Sequence, residues 1–374
     1  MRVALVHDWL VSMRGGEKCL EVFCELFPDA DLYTLIYAPD RVSEVIRGMK
    51  LQASWIGRLP WAHKYFRYLL PLFPNAIERF ELADYDLVLS SSHCVAKGVF
   101  PRRAPHIAYV HAPMRYVWDL HDAYLAGQSS LVNRVGLSLF RSYLQRWDMH
   151  GSNRVDHFIA NSQNVRSKIL QYYERQASVI FPPVETDRFR LGGAPEDYYL
   201  IVSALVPYKR IDVAVDAFNA LKLPLKIVGA GPLRRELQQR ARANIEFLGA
   251  VDDDRLAALY SKAQALIFPG EEDFGIVPLE AQASGRPVIG FECGGLVETV
   301  VGLDAAPATG APTGVFFNQQ NAASLCAAVR KYEGNRHRFD SESIRTHARK
   351  FDRARFKREV AAEIDGCMCR FHGG

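Results

Sequence analysis

The chain has 374 residues, 49% of them hydrophobic and 24% charged, which is enough apolar material for two packed domains and too much for a disordered chain. A formal net charge of +4, with acids and bases interspersed, argues against nucleic acid as a partner and leaves anionic small molecules or an anionic membrane surface. No apolar run reaches the roughly 18 residues that cross a bilayer. The seven cysteines show no paired spacing, so a reducing cytoplasm is expected. Cys367 and Cys369 have no ligand cluster near them in sequence and are read as neither metal-binding nor oxidised.

Short apolar runs alternate with amphipathic runs along the chain, the signature of parallel sheets with helices on both faces. The opening MRVALVHDWLV carries His7 and Asp8 and reads as a buried strand, Arg2–His7, not a signal peptide. Gly15 and Gly16 follow its loop, where they let backbone approach a phosphate or an acceptor closely, or simply open a helix. No G-x-G-x-x-G follows this strand, which disfavours a dehydrogenase-type dinucleotide fold. Further strands are expected at Asp31–Ile36, Asp86–Ser90, His106–His111, Asp156–Ala160 and Ser178–Phe181.

Residues 55–77, WIGRLPWAHKYFRYLLPLFPNAI, mix aromatics and leucines with Arg58, Lys64 and Arg67 and contain no acid. That mixture suits a membrane interface, with Trp61, Tyr65, Phe66 and Tyr68 inserted and the bases on anionic head groups. The alternative is a core helix with a basic outer face. His111 ends its strand, where open parallel sheets bind ligands; the alternative is a core histidine bonded to a carbonyl. Arg115 is a weaker candidate for an acceptor phosphate.

The stretch 182–197, PPVETDRFRLGGAPED, lacks periodicity and reads as a linker. Domains are therefore expected at 1–185 and 186–345, with a charged helix over 346–374 that packs back on the first. Strands of the second domain are expected at Tyr198–Ser203, Leu225–Val228, Ile245–Leu248, Ala265–Phe268, Val288–Phe291 and Gly314–Phe317. A helix is expected over Lys209–Leu221, and Lys209 at its start suits a pyrophosphate as a point charge, or is a solvated surface lysine. The acids Asp252–Asp254 precede a helical pattern and read as a cap, not a metal site.

The most informative segment is FPGEEDFGIVPLEAQASGRPVIG, residues 268–290. A strand ends at Phe268, and a helix begins near Ile276 with Pro278 in its first turn. The free amides of Phe274, Gly275 and Ile276 make an anion site suited to a diphosphate. Glu280, one turn on, can accept from the paired hydroxyls of a ribose, and Glu272 lies where a hexose on the diphosphate would sit. Simple capping by Glu271, Glu272 and Asp273 is the alternative.

Glu272, seven residues and Glu280, with Phe274–Gly275 between, resemble the E-x7-E signature of glycosyltransferase family 4. VHDWL…GGEKCL, LVPYKRIDVAVDAF, VGAGPLRREL and CGGLVETV resemble further motifs of the family, in order. YVHAPMRYVWD, 109–119, is most similar to the WbaZ-type mannosyltransferases. The resemblance implies an α/β fold of the GT-B kind, two Rossmann-like domains with parallel sheets facing across a cleft. It also implies a nucleotide diphosphate sugar as donor, no required cofactor or metal, and transfer of a hexosyl group with retention. Mannose from guanosine diphosphate mannose is the first guess, with a lipid-linked or oligosaccharide acceptor at the inner face of the membrane.

In that reading Lys209 and Arg210 meet the diphosphate, Glu272 and Asp273 the sugar, Glu280 the ribose and His111 the far side of the sugar. The chain departs from the pattern at Ala204, where many relatives have Arg, and at Asp273, where many have Gly. Arg210 is expected to compensate for the first. Double displacement by two carboxylates is the less favoured chemistry. A non-catalytic nucleotide-sugar-binding subunit and a sugar-nucleotide epimerase are the alternative functions.

Overall fold

The alternating runs become two separate all-parallel sheets. The computed structural model describes residues 1–115, 117–119, 131–305 and 310–372. The chain divides into two compact units, Met1–Pro183 with Ala354–Gly374, and Val184–Arg353. Among the described residues the first unit carries β1 (Val3–His7), β2 (Asp31–Thr34), β3 (Lys50–Ala53), β4 (Leu87–Ser92), β5 (His106–Val110), β6 (His157–Ala160) and β7 (Ala177–Val179). They lie in the order β3-β2-β1-β4-β5-β6-β7. The second carries β8 (Tyr199–Val202), β9 (Leu225–Val228), β10 (Ile245–Gly249), β11 (Leu266–Phe268), β12 (Val288–Phe291) and β13 (Gly314–Phe317), in the order β10-β9-β8-β11-β12-β13.

Both sheets reverse winding direction, at β1/β4 and at β8/β11. Open parallel sheets bind ligands beyond the carboxyl ends of the strands at such a reversal. Ligand sites are therefore expected in the loops after β1 and β4, and in those after β8 and β11. Every strand expected from an apolar run is present, Leu225–Val228, Val288–Phe291 and Gly314–Phe317 with the expected ends and the others with ends shifted by one or two residues. β3, KLQA, was not expected: it is an edge strand with alternating exposed residues, so it has no apolar run to detect.

β1 shows why central strands read as continuous apolar runs: it is buried on both faces. Leu5 packs with Phe23 and Phe356 on one side, while Ala4 and Val6 pack with Phe73 and Ile77 on the other. Phe356, Val360 and Ile364 come from the helix Arg353–His372, which covers the first sheet. The expected single C-terminal helix is in fact two, Ser341–Arg349 and Arg353–His372.

The helix expected over Lys209–Leu221 starts later, at Ile211. Pro207–Lys209 form a 3-10 turn, and Arg210 between them is left-handed at φ 52°. Residues 55–77 are not one helix but a chain of short turns and helices. Trp61 and Tyr68 are each 68% exposed and Tyr65 49%, whereas Phe66 is buried with its ring 5.0 Å from that of Trp9. Phe66 thus belongs to the core, contrary to expectation, because its turn faces Trp9 and its neighbours' do not. The side chain of Arg67 lies outside the described residues. Among the described residues no helix is long and apolar enough to cross a membrane.

Candidate functional site

In the second unit, two loops that flank the β8/β11 reversal are locked together. Gly270 lies so close to the turn after β8 that a Cβ would stand 2.9 Å from the Lys209 Cα. Glycine alone permits that approach. From this turn the Lys209 ammonium reaches across and pairs with the Glu272 carboxylate. Arg210 holds Asp212 through Nε and Nη2 at 3.1 and 3.2 Å, and its Nη1 donates to Gln320 Oε1 at 3.0 Å. Gln320 in turn donates to the Pro269 carbonyl at 2.9 Å, so the Arg210 side chain is tied to the start of the loop after β11.

That loop ends at Gly275, the N-cap of the helix Ile276–Ala283, at φ 100° and ψ 70°. A side chain would be strained in this conformation, and Gly275 gives the helix no side-chain cap. Pro278 stands in the first turn, as expected. From the other side the turn after β12 supports the loop. Gly295 N–H donates to the Glu272 carbonyl at 2.8 Å. A Cβ on Gly295 would lie 2.4 Å from Asp273 O and from Phe274 Cα. Asp273 and Phe274 are buried, and Glu272 is half-buried.

Glu280 is half-buried on the same helix, and its Oε2 accepts from the Tyr260 hydroxyl at 2.8 Å. Burial pushes its carboxyl up to about 6. The Tyr260 hydrogen bond and the Arg188 charge oppose that rise, while Asp253 and Glu185 add to it. Asp252 caps the helix Asp253–Lys262 by accepting from Arg255 N–H at 2.8 Å, as its sequence position implied. Ala204, beside β8, is exposed.

In the first unit, the carboxyl ends of β1, β4 and β5 gather three histidines, His7, His93 and His111. His7 Nδ1 lies 3.1 Å from Ser91 Oγ, and Ser91 Oγ lies 2.8 Å from His111 Nε2. His93 Nδ1 lies 3.1 Å from Asp8 Oδ2. Burial pushes each of the three imidazoles down to about 3, so all are neutral at physiological pH. Asp8 is buried and accepts backbone N–H groups from His93, Cys94, Val95 and Ala96. Gly16, in the first turn of the helix Gly15–Leu26, sits with its Cβ position 3.6 Å from His111 Nε2. Gly15 begins that helix. His111 bonds the Ser91 hydroxyl through Nε2 and is half-exposed. Arg115 is half-buried, and its charge acts on His93.

Trp118 and Asp119 of the expected motif are tethers. Trp118 donates to the buried Asp148 at 2.8 Å and stacks on Tyr172, and Asp119 pairs with Lys168 at 2.5 Å. Near the C-terminus, Cys367 is accompanied after all. His157 and Glu363 meet at 2.7 Å, and their ligating atoms lie within 4.8 Å of the Cys367 sulfur. The histidine is already paired with Glu363, and Arg370 donates to the thiol at 3.1 Å, so the trio is satisfied as a polar cluster.

Sequence reasoning missed Tyr260, Ser91, His7, Gln320 and the Gly270 and Gly295 contacts. A tyrosine on an apolar helix face must find an acceptor, and that signal was present for Tyr260.

Two family models match in tandem, "Glycosyltransferase Family 4" over residues 14–188 and "Glycosyl transferases group 1" over residues 196–334. The chain belongs to glycosyltransferase family 4. Its two parallel-sheet units are those of the GT-B fold. Over 183 residues it is 34% identical to D-rhamnosyltransferase WbpZ of Pseudomonas aeruginosa, across 43% of this chain and 46% of the relative. Over 159 residues it is 33% identical to O-antigen chain mannosyltransferase C of Escherichia coli, across 37% of this chain and 43% of the relative. The chain thus spans less than half the length of the curated relatives it matches. Sucrose-phosphate synthase of Thermosynechococcus elongatus has the same fold with a TM-score of 0.73 at 18% identity, covering 99% of this chain and 100% of that one. Anabaena HepE in complex with UDP-glucose superposes with a TM-score of 0.71 at 17% identity, covering 98% and 100%.

Proposed function

We propose that this family 4 member transfers a hexosyl group from a nucleoside diphosphate sugar to a hydroxyl of a growing glycan, with retention at the anomeric carbon. The observation that carries the reading is the Lys209–Glu272 pair set beside the Gly275-capped helix that bears Glu280. One cation, the amino end of a glycine-capped helix and one acid fall within a single pair of glycine-locked loops, and the second acid, Glu280, follows one turn along that helix. A diphosphate arriving there draws Lys209 away from Glu272 and receives the first amides of the helix, Phe274 to Ile276. Glu272, released, accepts from the sugar hydroxyls, with Asp273 behind it. Glu280 accepts from the ribose.

Charge builds on the leaving diphosphate in the transition state, so Lys209 and the amides contribute most there. The departing phosphate oxygen takes the acceptor's proton. His111, held neutral, is assigned to the sugar through the family resemblance, with Gly15, Gly16 and Arg115 on the acceptor side. Arg210 supports the diphosphate from beside Lys209, in place of the arginine absent at 204.

Mannose is the favoured sugar, supported by the matched O-antigen mannosyltransferase; the matched rhamnosyltransferase makes a deoxyhexose the competing choice. A lipid-linked acceptor at the inner membrane face is supported by the exposed Trp61, Tyr65 and Tyr68 beside Lys64 and Arg58. The deciding experiment incubates the full chain with labelled GDP-mannose, GDP-rhamnose or UDP-glucose, with and without a lipid-linked glycan. Acceptor-dependent transfer with retained configuration supports the proposal. Conversion of the donor without acceptor points to an epimerase, and binding without turnover to a non-catalytic subunit.

A further inference from the structure

Tyr260 lies near the end of the helix Asp253–Lys262 and is 1% exposed. Its ring packs edge-on against Phe189 at 5.6 Å, and its hydroxyl meets Glu280 Oε2. Burial, and then the charge of Glu280, push the phenol far above its ordinary range, so it remains a donor at every working pH. A buried hydroxyl with one charged acceptor in a fixed ring fixes the rotation of that carboxylate. One oxygen of Glu280 is thereby occupied, and the other is left to whatever the carboxylate faces.

We propose that Tyr260 is a positioning residue for donor selectivity: it turns Glu280 so that its second oxygen receives the ribose hydroxyls, and thereby favours ribonucleotide over deoxyribonucleotide sugars. The inference rests on the assignment of Glu280 to the ribose. A site built around a substrate hydroxyl discriminates strongly against the analogue lacking it, because the buried acceptor is then left unpaired. The selectivity needs the charged carboxylate. Its titration is set by burial against Tyr260 and Arg188, with Asp253 and Glu185 raising it. Donor affinity should therefore fall as pH drops through about 6. Removing the Tyr260 hydroxyl deletes a contact that favours the charged form and moves that break to higher pH.

The test is calorimetric titration of the full chain with GDP-mannose and UDP-glucose and with their 2′-deoxyribose counterparts, between pH 5 and 8. Sugar diphosphates are used because a free terminal phosphate titrates with a pKa of about 6 and would mask the break. For whichever ribonucleotide sugar binds, Tyr260→Phe should weaken it about tenfold at pH 7 and leave the deoxy form within about twofold. The pH break should rise, and kcat at saturating donor should hold.

Equal weakening of ribo and deoxy donors with an unmoved pH break would make Tyr260 merely structural and overturn the inference. If Glu280→Gln abolishes ribo selectivity while Tyr260→Phe keeps it, the inference fails and the Glu280 assignment stands. If the wild type does not discriminate and Glu280→Gln binds normally, the Glu280 assignment itself fails. Melting curves of both variants confirm that each is folded; Glu280→Gln retains an acceptor for Tyr260.

Discussion

Replacing Lys209 with methionine tests the phosphate side of the site. Methionine keeps most of the aliphatic stem and deletes the ammonium. The lysine side chain is 13% exposed and that of Glu272 23%, so the pair is partly shielded from water. A hydrogen bond to a charged group contributes about 1.5–3 kcal/mol, so losing one to the diphosphate costs roughly ten- to hundredfold. Charge grows on that diphosphate during departure, so kcat should fall more than the donor Kd rises.

A second effect comes from the residue left behind. Glu272 without its cation repels the incoming phosphates. The double variant Lys209→Met/Glu272→Gln should therefore bind nucleoside diphosphate better than Lys209→Met alone, a coupling expected between touching residues. Steady-state kinetics with the active donor, plus calorimetry with its nucleoside diphosphate, give both quantities. A kcat/KM for Lys209→Met within about threefold of the wild type would refute the assignment.

Gly295→Ala places a methyl 2.4 Å from Phe274 Cα and must displace the loop 272–274. Overpacking of this kind costs about 1–3 kcal/mol, so a lower melting temperature and weakened donor binding are expected together; a wild-type Kd would show that this loop does not hold the donor. Arg210→Ala breaks the link through Gln320 to Pro269 and should lower kcat several-fold; full activity would end its role beside Lys209. Arg58→Glu/Lys64→Glu/Arg67→Glu should abolish co-sedimentation with anionic vesicles at low salt, since each base near such a surface contributes about 1 kcal/mol. The same variant should keep its nucleotide affinity, and a wild type that ignores the vesicles would remove the membrane assignment.

The sheets were legible because central parallel strands are buried on both faces and leave continuous apolar runs, as in Val3–His7. β3 was not, because an edge strand with alternating exposed residues carries no such run. The Ile276 helix start could be read from Pro278 and the glycine before it. The break at Arg210 could not, since the left-handed arginine goes with a side-chain bond to Gln320, 110 residues away in sequence. The E-x7-E spacing marked Glu272 and Glu280, but their partners Lys209 and Tyr260 are 63 and 20 residues away in sequence. Only the β8/β11 reversal and the close approach at Gly270 bring Lys209 to its acid. Phe66 shows the opposite failure. Its composition matched exposed aromatic neighbours, and the turn that buries it against Trp9 has no sequence signature.

The central claim is that residues 184–353 hold a nucleoside diphosphate sugar through Lys209 and the loop 270–280. The most direct measurement is calorimetric titration of the full chain with guanosine, uridine, adenosine, cytidine and deoxythymidine diphosphate sugars, repeated on Lys209→Met. At least one ribonucleotide sugar should bind the wild type, and Lys209→Met should lose about tenfold or more of that affinity. Binding of none of them, or binding that Lys209→Met leaves intact, would contradict the claim.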